Sequence, residues 1–142
     1  YDRSLAEIKA IFAGASEAQL SAKPAPDEWN AKEVLAHLIL TERYNLNFIQ
    51  DIVGGYEPIY DDGANMPARV SATLAAFPTG KALLTELESL FQETTALISL
   101  LPESFTQRKS SYWRLGYSLL QPTSHFSNHL IQIKTAIQSA HQ

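Results

Sequence analysis

Apolar residues recur at helical spacing in four stretches of the chain, and the polar stretches between them carry proline or glycine. Leu5, Ile8, Ile11 and Phe12 predict a first helix over residues 3–13, with Gly14 as its stop. Pro24 and Pro26 keep residues 21–29 from continuing as helix. Asn30 stands three residues before Glu33, the spacing of a capping box, and predicts a second helix from Ala31 to about residue 53, where Gly54 and Gly55 end it. Residues 54–78 form a long connection with a short helix predicted over 67–76, so the helices it joins need not be simple antiparallel neighbours. Leu83, Leu84, Leu87, Leu90, Phe91, Leu97, Ile98 and Leu101 predict a third helix over 79–101, closed by Pro102. Phe126, Leu130, Ile133 and Ile137 predict a fourth over about 117–139, started or interrupted near Pro122. Tyr112 and Trp113 fall in the loop before it, where an aromatic either shields a pocket mouth or simply packs. No sustained period-two alternation and no hairpin signal appears, and Asp62-Gly63 lacks strand-like flanks. The pattern predicts an all-α four-helix bundle, one domain over residues 1–142.

Composition narrows the chemistry more than the fold. The 142 residues contain no cysteine, which excludes a disulfide framework, a thiolate nucleophile, an iron–sulfur cluster and every cysteine-containing zinc site. A metal would have to be held by His, Asp, Glu or main chain. Eleven basic against fifteen acidic side chains leave −4, which argues against a nucleic-acid backbone as partner. No apolar run approaches the ~20 residues of a membrane span. The first residue is Tyr1 rather than methionine, which reads as a trimmed start.

Three of the four histidines are the informative residues. His125 and His129 are four apart on the fourth helix, separated by about 40° around its axis, so their imidazoles can converge on one point. His37 falls on the edge of an inward arc defined by Val34, Leu38, Thr41, Asn45 and Phe48 on the second helix. A bundle lets facing helices contribute ligands to one interior site. Three nitrogens leave positions open for water or substrate, the arrangement of a catalytic rather than a structural metal. A second reading stays open on the residues alone: His37 as a hydrogen-bonded core histidine, with the other two on a wet groove. His141 lies roughly 160° from His125 beside the terminus and is assigned no role.

The neighbouring residues have simpler accounts. Gln132 lies about 20° from His125 on the same face and can hydrogen-bond a ligand or a water, or sit at a polar seam. The cap accounts for Glu33. Thr41 and Tyr44 continue the His37 edge as pocket lining or ordinary packing, and Trp29 is placed to staple Val34. No dinucleotide fingerprint, P-loop or serine elbow is present. Asp61-Asp62-Gly63 lacks the spacing of a calcium loop, and Arg108-Lys109 is too little for a nucleic-acid footprint.

Taken together, residues 16–42, with the prolines, Trp29, the helix start and His37, and residues 115–133, with His125-x-x-x-His129-x-x-Gln132-Ile133, resemble the DinB/YfiT-like superfamily of metal-dependent four-helix bundles. That resemblance implies an up-down-down-up arrangement, a divalent metal (Zn, Ni or Fe) on His37, His125 and His129, and a homodimer. It also implies a cytoplasmic enzyme on a small-molecule substrate, with no nucleic-acid or membrane partner. Characterised relatives include transferases and isomerases that use a low-molecular-weight thiol, a chemistry that needs no cysteine of the chain's own. The alternative is a bundle that binds small molecules or dimerises without turnover. One departure from the family pattern stands out. Pro122 lies three residues before His125 where members commonly run smooth helix, so a kink there would move His125 away from His37.

Overall fold

Asn30 Oδ1 accepts from the Glu33 amide at 2.8 Å while Glu33 Oε2 accepts from the Asn30 amide at 2.8 Å, and this reciprocal pair opens α3 (Ala31–Gly54). At the other end Gly55, at φ +85°, turns the chain through the left-handed region that a side chain would strain, and the Tyr56 amide bonds back to Asp51 O at 2.8 Å. The Arg108 guanidinium donates to Val53 O at 2.7 Å, satisfying a carbonyl that the helix end leaves open.

The computed structural model describes residues 2–59, 63–120 and 122–139, so Asp61, Asp62 and His141 lie outside the described residues. Around α3 stand α1 (Asp2–Ala13), α2 (Glu17–Ser21), α4 (Pro67–Ala76), α5 (Gly80–Ser99), α6 (Lys109–Leu120) and α7 (Pro122–Ser139), with 3-10 turns at Gly63–Asn65 and Glu103–Gln107. Among the described residues there is no strand, and no helix is long and apolar enough to cross a membrane.

Helix α3 is the hub: α4, α5, α6 and α7 all pack on it, while α1 closes against α5 and α7. The main core gathers Ile8, Phe12, Val34, Leu35, Leu38, Ile39, Leu83, Leu87, Phe91, Phe126 and Ile133 between α1, α3, α5 and α7. A smaller cluster of Ile49, Ile52, Phe105 and Leu115 closes the far end of α3.

Two expectations change. The inward arc of α3 is rotated: Leu35, Leu38, Ile39, Glu42, Leu46, Ile49 and Ile52 are buried, whereas Asn45 and Phe48 are only partly covered. Partners on several sides replace the single buried face that the arc assumed. Residues 109–120 form a separate helix, so Tyr112 and Trp113 are not in a loop. That helix escapes the apolar pattern because it buries only Leu115 and exposes Tyr112, Trp113, Tyr117 and Leu120. Helix α7 runs from Pro122 to Ser139, and Pro122 does not carry His125 away from His37.

Candidate metal centre

His37 sits near the start of α3, where burial runs almost all the way round the helix, and is 4% exposed. Its Nδ1–H donates to the Ala64 carbonyl, 3.1 Å away in the 3-10 turn Gly63–Asn65. One turn of α7 brings His125 and His129 to the same place. His129 Nδ1–H donates to Gln132 Oε1 at 2.8 Å. With Nδ1 committed as a donor, the neutral form of either ring presents a bare Nε2 lone pair.

Both lone pairs face the same atom. His125 Nε2 lies 3.2 Å from His37 Nε2 and 3.0 Å from His129 Nε2. A single proton on His125 Nε2 can serve only one of these contacts, which leaves the other lone pair without a donor. His125 Nδ1 is buried without a hydrogen-bond partner among the described residues. A cation among the three nitrogens removes the conflict. Metal–nitrogen bonds of about 2.0–2.1 Å put neighbouring ligand atoms about 2.9 Å apart at right angles and about 3.3 Å apart at the tetrahedral angle. The observed separations fall between those values.

The electrostatics favour the neutral form of His125 and His37. Burial pushes His125 down to about 4, and the neighbouring His129 and His37 add to the shift. Burial also lowers His37; the Ala64 carbonyl offsets part of this and His129 adds to it. Unprotonated imidazole is the form that ligates. The three histidines form a group able to hold a metal ion, and the anchoring of Nδ1 by a carbonyl or amide oxygen is the support that ligating histidines usually receive.

These groups lie within the span of one family. Residues 1–133 of the 142 match the DinB superfamily. The chain belongs to the DinB superfamily. The matched stretch includes all three histidines and Gln132. Comparison with curated proteins and with solved structures gives no match.

In this DinB-superfamily chain the remaining sequence-derived candidates take definite places. Gln132 bonds His129 rather than His125, the ring it faces one turn back. Glu33 is occupied at both oxygens, by the Asn30 amide and by Lys23 at 3.5 Å, so it is a cap and not a base aimed at the site. Thr41 donates to the His37 carbonyl at 3.0 Å along the helix. Tyr44 lines a different cavity of about 370 Å³, together with Arg43, Phe48 and Arg69. Trp113 is 76% exposed on α6; the tryptophan that meets the histidines is Trp29, its ring centroid 5.3 Å from that of His37. Trp29 therefore does more than staple a helix start. The Ala64 carbonyl carried no signal at all in the sequence, because its contribution is main chain delivered by a long connection.

Proposed function

We propose that this DinB-superfamily chain is a metal-dependent enzyme in which His37, His125 and His129 hold a divalent Zn, Ni or Fe, acting with a low-molecular-weight thiol as an S-transferase or isomerase on a small electrophile. The observation that carries the reading is the convergence of three Nε2 atoms, two of them stripped of any other role by hydrogen bonds at Nδ1. When bound, the metal supplies Lewis acidity that favours the thiolate form of an incoming thiol. The chain's own residues do the rest. Ala64 and Gln132 fix the ring orientation of His37 and His129, and Trp29 screens His37 from solvent. With three protein ligands, the donor set keeps room for an incoming group.

The finer architecture belongs to the same reading: α1, α3, α5 and α7 are the four bundle helices in up-down-down-up order, and α4 and α6 are carried in the connections. A homodimer is part of it too, supported by the apolar side chains Trp113, Tyr117 and Leu120 that α6 leaves exposed.

Elemental analysis of protein made without an affinity tag tests the core of the proposal. Near-stoichiometric divalent metal, lost in His37→Ala without unfolding, is the expected result. Protein that carries no metal, and whose melting temperature does not respond to added Zn or Ni, would instead be the non-catalytic binding bundle. Chelation should leave the helices folded, since the α3–α5 core is built without the histidines; global unfolding on chelation would mean a structural metal. A screen of thiols against model electrophiles then addresses the reaction itself.

A further inference from the structure

A groove of about 540 Å³ runs between residues 24–29 and α7. Asp27, Glu28 and Trp29 wall one side; His129, Gln132 and Thr135 wall the other. Its inner end is part of the histidine set: His129 itself, the Gln132 that anchors it, and the Trp29 ring that touches His37. The volume suits a small organic molecule.

The two carboxylates among the residues that line this groove are those of Asp27 and Glu28. No lysine or arginine lines it, and no ion pair or side-chain hydrogen bond among the described residues engages the Asp27 or Glu28 carboxylate. Lys23, on the same loop, is turned to Glu33 at 3.5 Å. The remaining wall residue of note is an indole, whose face attracts cations as carboxylates do. Two carboxylates and an indole beside a nitrogen donor set form a receptor for a molecule with a positive end.

We propose that the groove receives the ammonium end of a small amine-bearing molecule whose other, electron-donating end reaches the His37–His125–His129 set. This rests on the metal reading above. Asp27 and Glu28 would set specificity: they favour cationic over anionic molecules and take no part in bond making.

The test uses the full chain loaded with Co(II), titrated with cysteamine, 2-mercaptoethanol and 3-mercaptopropionate, three short thiols with a positive, neutral and negative tail. Absorbance of the cobalt–thiolate contact reports affinity. The preference for cysteamine over 3-mercaptopropionate should be about tenfold greater in wild type than in Asp27→Asn/Glu28→Gln, the order expected of two partly solvated charge contacts. Comparing the ratio between proteins cancels the thiols' own acidity, and the difference should shrink in high salt. Glu103→Gln removes a charge beside the Phe105 cluster, which packs on Ile52 about 22 Å along α3 from His37, and should leave the ratio unchanged. An equal ratio in wild type and the double variant, or an equal effect of Glu103→Gln, overturns the groove proposal while cobalt uptake leaves the metal reading standing. Failure to take up cobalt overturns both.

Discussion

His37 and His125 stand 88 positions apart in the chain, yet their Nε2 atoms lie 3.2 Å from each other across the seam between α3 and α7. A proton on His125 Nε2 can reach only one of its two neighbours, so donation to His37 leaves His129 Nε2, 3.0 Å away, without a donor. Replacing any one of the three by alanine should therefore abolish stoichiometric metal, measured by elemental analysis after dialysis, while far-ultraviolet circular dichroism stays helical. His37→Ala, at the most buried of the three positions, should also cost about 1–3 kcal/mol in a urea melt. Full metal retention in one variant would remove that histidine from the ligand set.

Gln132 holds His129 by a 2.8 Å bond to Nδ1. Gln132→Leu keeps the volume and removes the acceptor, so metal affinity should fall about 10–100-fold, the usual loss when the support of a ligating histidine is deleted. Competition against a chromophoric chelator reads this directly. An unchanged affinity would mean that the ring is held by helix packing alone.

The chelated protein should show a pH dependence of known sign. His125 is pushed down to about 4 in the folded chain, against about 6.5 for an unfolded histidine. Above 6.5 neither state carries this proton and its contribution to stability is fully present. As pH falls from 6.5 toward 4, the unfolded chain takes up a proton that the folded chain resists, so stability declines across that window. Denaturant midpoints at pH 7.5, 6 and 5 should fall less steeply in His125→Gln than in wild type; parallel slopes would contradict the burial of this ring.

The start of α3 carries His37 two turns in. Asn30→Ala removes the side-chain acceptor of the Glu33 amide and should lower stability by about 1 kcal/mol. Metal affinity should change little, because the bonds that orient His37 come from Ala64. A large affinity loss in this variant would show that the helix start positions the ring.

The helix over residues 67–76 and the start of α3 at Ala31 were legible because their signals are local: a proline at the first helical position, a cap and its partner three residues on. The short α2 had the same kind of signal in Ser16 and Gln19, which form a capping box that the apolar pattern alone does not reveal. Helix α6 was not legible as a separate element, since most of its large apolar side chains face outward and mimic a loop. The three histidines could be named from spacing and resemblance. The roles of Trp29 and Ala64 could not, as one reads equally well as a staple and the other contributes only a carbonyl oxygen.

Composition and periodicity by themselves determined an all-helical chain without thiol chemistry of its own, because helical burial and residue counts are properties of short windows and of inventory. Only the tertiary structure decided that His125 stays beside His37 despite the proline three residues before it, that Gln132 serves His129, and that an acidic groove reaches His129. Those outcomes depend on how far apart atoms from distant segments come to rest. That distance is set by the packing of α3 against its neighbours, which no local pattern encodes.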